Sequence, residues 1–552
     1  MPRFTHPEIP KLVHQLRSGN VDRREFLRTS TLLGLSATAA YGFFGSHPAA
    51  AQGTPRRGGM VRVSARVREI KEPHALGNVP ASNIARQTLD YLVVTGPDNV
   101  TRPALVQAWE PSADLKTWTL RLRRDVTWRN GRKFGADDVV WNLKRVLDPK
   151  TGSSVIGLMK GYILQDSETG KDASGKPTLE SRLWTANAIE KVNEFTVRLN
   201  LKAPQLAIPE HLYHYPLVIL DPEEGGVFKV GMNGTGPYQL VEYEVNKRAV
   251  YRARKDAYWG GGPYLDEVQI IDLGDDPNAE LGALTSRQVM AVMTPTQSQY
   301  PVLKAILGLD LPVVRTGATI HARAQPVPPF TDIRVMRALR LAVDNNKVTE
   351  VAFGELGSRA EHHHVSDIHP EYFALPPFKR DIAKAKELLA AAGYPNGIDV
   401  PVPMTVSNGW QKDTAQALVA QWAEAGIRVK LDVLPSVEWN KVWDKAPFAC
   451  GDWSHRPLGV MSLALAYRSG VPWNETRFSN AEFDRLLDQA EATADVAKRK
   501  EIMKRLQTIL QEDGPLVQPT FRSIYSAVDK RLKGVSAHPT QYFNCNQWWL
   551  ET

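Results

Sequence analysis

Apolar and polar positions alternate in short runs along much of this chain, and longer runs with helical spacing separate them. Between Leu115 and Arg123, the apolar residues Trp118, Leu120 and Leu122 are separated by polar ones. A period of two is typical of a strand with one buried face, so this segment is predicted to be a strand. Asn130-Gly131, a little further on, predicts a turn.

Several predicted helices begin at an aspartate and end near glycine or proline, in line with the usual capping preferences. They are 136–147, ended by Pro149; two that open at Asp332 and Asp344; 381–392, followed by Gly393; and 413–425, which stops at Gly426 and leads into a strand over 427–434. Short strands that alternate with helices of this length predict an α/β fold.

The beginning of the chain has a different character. An uncharged, weakly apolar run over 29–44 follows Asp22-Arg23-Arg24-Glu25-Phe26-Leu27-Arg28 and precedes Pro48-Ala49-Ala50-Ala51. Adjacent arginines, an apolar run too short for a membrane span and a small-residue end are typical of a twin-arginine export signal. Residues 1–51 are therefore predicted to be a signal peptide, recognised by the twin-arginine translocase at Arg23 and Arg24 and cleaved near Ala51. The alternative is a basic loop before a buried helix, which explains the charge-free run less well.

Length, charge and cysteine content narrow the function. The roughly 500 residues left after cleavage exceed a single compact core, so two or more lobes are expected. A formal net charge of +8 over 552 residues, with no long block of lysine or arginine, does not indicate nucleic-acid binding. No later segment has the uncharged apolar length of a membrane span. The only cysteines, Cys450 and Cys545, have no metal-site or redox-motif spacing, and whether they pair stays open.

Five segments, in order, resemble the peptide/nickel (dipeptide/oligopeptide) class of extracellular solute-binding proteins of ABC importers. The second contains the turn Asn233-Gly234-Thr235-Gly236-Pro237-Tyr238, and the fifth contains Asn480-Ala481-Glu482-Phe483-Asp484. Each is weakly specific alone, but five in the right order are specific together. The segments are 109–149, 233–238, 329–344, 383–427 and 480–490.

The resemblance implies an α/β fold that forms the two-lobed clamp of the large periplasmic peptide-binding proteins, with two strands crossing between lobes as a hinge. The expected division is 52–98, 232–315 and 516–552 for the core of lobe I, 99–231 for a subdomain of lobe I, and 316–515 for lobe II. The crossing points are expected at 313–325 and 516–524. Such a clamp closes by hinge motion around a solute.

The resemblance also implies the function: a periplasmic, monomeric receptor that captures a peptide-like or small anionic organic solute and delivers it to an ABC permease in the inner membrane. In peptide-binding members, an aromatic residue is followed three positions later by an aspartate that holds the peptide ammonium. Here Trp453 takes the aromatic place and Arg456 the place of the acid. Arginine presents a planar, permanently charged fork suited to carboxylate or phosphate. The open alternative is a structural arginine paired with Asp452 or another acid.

Four further residues are candidate ligand contacts. Trp410 and Trp473, which is followed by Asn474, lie where the family tends to line its cleft, and His455 is a candidate for a second polar contact beside Arg456. Aromatic walls give affinity while few rotors have to be frozen, although each tryptophan is also ordinary core material. A lone histidine is more often structural than a ligand contact.

Two other functions were weighed. His362, His363, His364 and His369 suggest a nickel or copper site, and with it uptake of a metal or metal chelate, but adjacent loop histidines rarely all reach one ion. A periplasmic enzyme on a binding-protein fold is the other alternative, although no catalytic motif occurs in a supporting context. No cofactor and no bound metal are predicted.

Overall fold

The computed structural model describes residues 6–36, 39–40, 43, 54–171, 175 and 177–551. The predicted cleavage point near Ala51 and the predicted mature start at Gln52 lie outside the described residues. The described chain forms two sheet-centred lobes with helices packed around them, which is the two-lobed α/β architecture expected from the sequence.

The first lobe is built on a seven-stranded mixed sheet. Met60–Ser64 lies at its centre, parallel to Glu267–Ile271 on one side and to Ala291–Val292 on the other. The strands in spatial order are Tyr238–Glu244, Arg248–Ala253, Glu267–Ile271, Met60–Ser64, Ala291–Val292, Ala527–Asp529 and Leu309–Asp310. An antiparallel sheet in the same half of the chain contains Val106–Pro111, Thr117–Leu122, Thr196–Asn200 and Ile189–Asn193.

The second lobe is built on a six-stranded mixed sheet. Its long central strands, Leu516–Tyr525 and Val313–Ala324, pair antiparallel to each other. The strands in spatial order are Gly357–Arg359, Leu516–Tyr525, Val313–Ala324, Phe448–Trp453, Met404–Ser407 and Leu431–Leu434. Helices Ile333–Leu341, Asn345–Phe353, Ile382–Ala391 and Trp410–Glu424 contribute buried side chains to its core.

Two short connections join the lobes. Leu309–Asp310 in the first sheet leads directly into Val313–Ala324 in the second, and Leu516–Tyr525 leads back into Ala527–Asp529. The chain therefore crosses twice between the sheets, at the places where the two hinge strands were expected. The division into lobe I core, subdomain and lobe II at the stated residue numbers remains a prediction.

The remaining elements complete the two lobes. Two-stranded pairings join Val93–Thr95 with Thr101–Pro103, Leu164–Lys171 with Pro177–Leu183, Ile398–Asp399 with Ile427–Arg428, and Leu532–Lys533 with Trp549–Leu550. The other helices are Glu8–Arg17, Arg23–Leu32, Val79–Ala85, Ala136–Val146, Ser154–Met159, Ile208–His211, Pro277–Thr285, Tyr300–Lys304, Ser436–Val442, Gly459–Ala466, Ala481–Glu491 and Val496–Asp513. No helix of the described segments is long and apolar enough to cross a membrane.

The predicted caps and strand ends agree with the structure to within a few residues. Asp381 accepts a hydrogen bond from the Lys384 N–H at 2.8 Å, as expected for a helix that begins there. The predicted helix 413–425 begins three residues earlier, at Trp410. Its N-cap is Gly409, so no side chain caps this end of the helix. The predicted strand 427–434 is divided into Ile427–Arg428 and Leu431–Leu434, which pair in different sheets.

The Gly-Thr-Gly turn is required by a close backbone approach. The N–H of Gly236 donates to the Thr88 carbonyl at 3.0 Å. A Cβ on Gly236 would lie 2.5 Å from that oxygen, and one on Gly234 would lie 2.2 Å from it. Glycine at these positions therefore lets the turn dock against the end of helix Val79–Ala85, beneath the cleft.

Helix Arg23–Leu32, which contains the predicted export arginines, packs against the first lobe. Phe26 and Leu27 are buried in the core, and the Trp109 indole donates to the carbonyls of Thr31 and Leu32 at 3.2 and 3.1 Å. The apolar side chains of this helix thus belong to the core of the first lobe in the full-length chain.

Candidate functional site

A cavity of about 360 Å³ lies between the lobes, and residues from both lobes line it. Its volume is within the usual range for small-molecule sites. Arg66 and Asp275 line it from the first lobe, while Trp410, Trp453 and Arg456 line it from the second half of the chain. The cavity is therefore where hinge closure would enclose a solute.

One wall of the cavity is aromatic. The Trp473 ring centroid lies 5.9 Å from that of Trp453, 6.1 Å from that of Trp443 and 5.7 Å from that of Tyr215. All four rings line the cavity. The mutual contacts hold each ring in place in the closed cleft. Trp453 and Trp473 thus lie in the cavity wall, and their contact with a ligand stays a prediction.

A buried carboxylate holds this wall in place. Glu475, only 4% exposed, accepts a hydrogen bond from the Trp453 indole at 2.8 Å and one from Arg323 Nε at 2.9 Å. His321 Nε2 lies 3.3 Å from the same carboxylate. Burial raises the pKa of Glu475, but Arg323, His321 and Trp453 outweigh burial and lower that pKa to about 2. Glu475 is therefore ionised at neutral pH and orients Trp453 by hydrogen bonding.

Arg456 lies in the cavity wall, where its guanidinium meets backbone carbonyls and not an acid. Its Nη1 donates to the carbonyls of Ser454 and His455, and its Nη2 donates to the Tyr215 hydroxyl at 3.4 Å. No described acid lies within ion-pair distance, and the buried Nε has no partner among the described residues. The pairing with Asp452 considered from the sequence is therefore not formed.

The Asp452 carboxylate instead accepts a hydrogen bond from Gln411 Nε2 at 2.6 Å. This places an acid beside the beginning of helix Trp410–Glu424. The Trp410 ring, predicted to be a stacking wall for the ligand, has the guanidinium of Arg522 3.6 Å from its centroid. Trp410 does line the cavity, but this arginine stacks on its ring.

Polar groups from the two lobes meet at another side of the cavity. Arg68 Nη2 donates to the Ser436 hydroxyl at 3.0 Å, and that hydroxyl donates to Asp275 at 2.9 Å. Arg66 lies 3.2 Å from Asp275 and orients the carboxylate. This cluster links the lobes directly, so the structure represents a closed cleft.

The structure does not bring His455 and Asn474 to the cavity. His455 Nδ1 accepts from the Gly317 N–H at 3.0 Å, so its proton lies on Nε2, which donates to Asn99 at 2.9 Å. Asn474 bonds to the carbonyls of Arg468 and Phe478 and closes its own loop. Both residues are saturated by protein partners, and neither lines the cavity between the lobes.

The three adjacent histidines point to different partners. His362 Nδ1 accepts from the Gln518 N–H at 3.0 Å, His363 lies beside Gln507, and His364 lies beside the Tyr467 hydroxyl. His369 bonds to the Arg456 carbonyl at 3.0 Å. Among the described residues, no group of three histidine, cysteine or acidic side chains has a metal-binding arrangement. Cys450 and Cys545 are both buried and free, so they do not pair.

Three features of the site were missed from the sequence: Arg522, the carboxylate of Glu475, and the pair of Asp275 with Ser436. Only Glu475 had a nearby signal, since it follows Trp473-Asn474. The others join residues far apart in the sequence, so no local pattern marks them.

The family comparison agrees with this architecture. Residues 100–474 match the model "Bacterial extracellular solute-binding proteins, family 5 Middle", which is more than half of the chain. The heme-binding protein A of Haemophilus influenzae is 26% identical over 467 residues, which are 80% of this chain and 82% of that protein.

Solved structures agree on the fold. The DppA periplasmic binding protein of Helicobacter pylori, associated with an ABC transporter and in complex with the peptide STSA, superposes with a TM-score of 0.77 at 19% identity. The binding protein AgaA of A. tumefacien R10, in complex with agropinic acid, gives 0.76 at 23% identity. Each comparison covers 90% of this chain and 99% of the other.

The matched residues include strands of both sheets, among them the hinge strand Val313–Ala324, and the aromatic wall of the cavity. The matching family is one of solute-binding proteins, so the enzyme alternative is set aside. The chain belongs to the bacterial extracellular solute-binding proteins of family 5, and it is a substrate-binding receptor of an ABC importer.

Proposed function

We propose that this receptor works in the periplasm and captures a peptide-like or small organic solute that carries an anionic group, held at Arg456. The observation that supports this most directly is the environment of Arg456. It lies in the cavity wall, only 3% exposed, with its guanidinium bonded to carbonyls and a hydroxyl and with no acid among the described residues in ion-pair range.

A buried cation without a counter-ion is costly, and an anionic ligand lowers that cost. The aromatic wall beside Arg456 supplies apolar contact for the rest of the solute. The relatives bind different solutes, according to their descriptions: heme, the peptide STSA, and agropinic acid. Family membership therefore leaves the solute open, and the charge at Arg456 favours an acid.

The two hinge crossings support delivery of the solute to a permease, because they allow the lobes to open and close. The solute stabilises the closed form only by its preference for that form over the open one. The closed receptor, acting as a monomer, then presents the solute to the permease in the inner membrane. We assign 52–98, 232–315 and 516–552 to the lobe I core, 99–231 to its subdomain and 316–515 to lobe II.

Export by the twin-arginine translocase is part of the proposal. Its support is the sequence: Arg23-Arg24 before Phe26-Leu27, the charge-free run over 29–44 and the three alanines that end at Ala51. Replacing Arg23 and Arg24 with lysine keeps the charge and removes the guanidinium pair. The exported, processed protein should then be lost from the periplasmic fraction, whereas continued processing near Ala51 would show a general secretory signal.

The solute is best identified by mass spectrometry of what co-purifies with the protein. The compound is then titrated by calorimetry into the parent, into Arg456→Ala and into Arg124→Ala. Arg124 is the control, since it is exposed outside the cavity, with its guanidinium carbon 4.9 Å from the Phe195 ring centroid. Truncating a buried charge contact costs about 2–5 kcal/mol, roughly 30-fold to several-thousand-fold in Kd. A neutral or purely cationic solute, or unchanged affinity in Arg456→Ala, would overturn the proposal.

A further inference from the structure

Helix Trp410–Glu424 begins in the cavity wall with unused backbone donors. Its N-cap is Gly409, which has no side chain to cap the helix. The N–H groups of Trp410 and Gln411 donate to no described residue, whereas the Lys412 N–H bonds to Gly409. Loop residues 407–411 all line the cavity. A long helix therefore presents its positive end and free N–H groups to the solute space.

A second, independent feature lies at the same place. Arg522 is 6% exposed, and its guanidinium carbon lies 3.6 Å from the ring centroid of Trp410, the first residue of the helix. Its buried Nε has no hydrogen-bond partner, and no described acid lies within ion-pair distance. Arg522 lines a small annex that shares Thr294, Trp410 and Gln541 with the main cavity.

The acids around this place form no ion pair with Arg522. Asp452, on the neighbouring part of the sheet, is hydrogen-bonded to Gln411; burial lowers the pKa of Arg522 to about 10, and the charge of Asp452 opposes this shift only in part. Asp413 lies in the first turn of the helix but is exposed, and Lys412 precedes it. The stacked guanidinium and the helix end thus form a positively charged concavity in which a carboxylate oxygen would gain charge-assisted hydrogen bonds.

The strand register separates this place from Arg456. Trp453 lies opposite Thr319, and Thr319 lies opposite Phe521, the neighbour of Arg522. Strand Phe448–Trp453 ends near Arg456, and strand Leu516–Tyr525 contains Arg522. One strand, Val313–Ala324, lies between them in the second sheet, so their backbones are roughly 10 Å apart. Arg456 lines the main cavity, whereas Arg522 lines only the annex, so the two guanidinium groups face different parts of the site.

We propose that Arg522 and the N-terminus of helix Trp410–Glu424 form a second anion subsite, so that the solute has two acidic groups, one at each end. The part that concerns Arg456 depends on the proposed function, whereas the subsite at Arg522 stands on its own contacts. The substrate class is thus a di-acid: an acylated peptide or amino-acid conjugate with a carboxylate at each end.

Four matched peptides test this: succinyl-Ala-Ala, which has two carboxylates; acetyl-Ala-Ala and succinyl-Ala-Ala-amide, which have one each; and acetyl-Ala-Ala-amide, which has none. Each is titrated by calorimetry into the parent, Arg522→Gln, Arg522→Lys and Arg456→Gln, with Arg124→Gln as the control. Unfolding curves of the variants without peptide establish that they are folded. If Arg522→Gln proves unstable, Arg522→Lys replaces it as a variant that keeps the positive charge.

In the parent, the di-acid should bind roughly 10- to 100-fold tighter than either mono-acid. Arg522→Gln should abolish the preference for one carboxylate, and Arg456→Gln should abolish the preference for the other. Arg522→Lys should retain part of the preference that Arg522→Gln loses. Equal binding of di-acid and mono-acid, or full preference retained in Arg522→Gln, overturns the second subsite and leaves Arg456 intact. If the preference for a carboxylate changes in Arg522→Gln but not in Arg456→Gln, the proposed role of Arg456 is overturned instead. No binding by any of the four peptides at millimolar concentration overturns both for peptide-like solutes.

Discussion

Asp275 of the first lobe accepts two hydrogen bonds from Ser436 of the second, one from its hydroxyl at 2.9 Å and one from its backbone N–H at 3.4 Å. The carboxylate thereby caps helix Ser436–Val442 from across the cleft. Arg66 and Arg68, from the same lobe as Asp275, complete the contact. These bonds exist only when the lobes are together, so they stabilise the closed state and not either lobe alone.

Replacing Ser436 with alanine should weaken solute binding while the aromatic wall of the cavity stays unchanged. The lost bonds are partly exposed, so we expect roughly a 3- to 10-fold rise in Kd because the open state gains population. Calorimetry measures the affinity, and small-angle X-ray scattering measures the fraction of closed molecules without solute.

Ser181→Ala is the matched control for this variant. Ser181 donates to Asp166 at 2.7 Å within a single exposed hairpin of the first lobe. Its loss should alter neither affinity nor scattering. If Ser436→Ala binds as tightly as the parent and closes equally, the contact across the cleft contributes nothing to closure.

Glu475→Gln should destabilise the protein strongly, because Arg323 would remain buried without a counter-charge. Breaking one member of a buried pair costs about 3–5 kcal/mol in the free energy of unfolding. Denaturant unfolding at pH 7 measures this. Glu482→Gln, which breaks the exposed pair with Arg505, should cost about 1 kcal/mol or less. Equal effects of the two variants would show that burial of the Glu475 pair is not important for stability.

The same carboxylate predicts a pH dependence with a definite sign. Its pKa is about 2 in the folded protein, against 4.5 ordinarily, so the unfolded chain takes up the proton first. This contribution to stability is therefore complete above pH 4.5 and is lost as the pH falls toward 2. The parent should lose this increment of unfolding free energy across that window, and Glu475→Gln should not.

A feature of the fold or of the site could be predicted from the sequence where the residues that form it are close together in the chain. The helix cap of Asp381 is formed within three residues, so the sequence determined it. Trp453 and Arg456 could be located because the family motif fixes their spacing. The stacking of Arg522 on Trp410 could not, since it joins a hinge strand to a distant helix. His455 and Asn474 do not line the cavity, because the side chain of His455 bonds to Gly317 and Asn99 and that of Asn474 bonds within its own loop, and no local pattern shows such partners.

The histidine loop should bind no nickel. The rings of His362, His363 and His364 are each engaged with separate buried partners, so they cannot converge on one ion without unfolding the loop. Nickel titration by calorimetry should therefore give no stoichiometric site in the parent, and His363→Gln should change nothing in that titration. A tight one-to-one site that His363→Gln abolishes would make metal or metal-chelate uptake the leading function.

A chain that begins at Gln52 should fold and bind as the full-length chain does. Every strand of both sheets lies at or beyond Met60, and the cavity lining begins at Ala65. Among the contacts that are lost, Trp109 loses the carbonyls of Thr31 and Leu32. Its indole should become accessible to acrylamide, measured as the quenching difference between the shortened chain and its Trp109→Phe variant. Unchanged solute affinity with newly quenched Trp109 fits a leader that docks and is then removed. Failure of the shortened chain to unfold cooperatively would show instead that helix Arg23–Leu32 is a permanent part of the first lobe, and the export interpretation of Arg23 and Arg24 would fall with it.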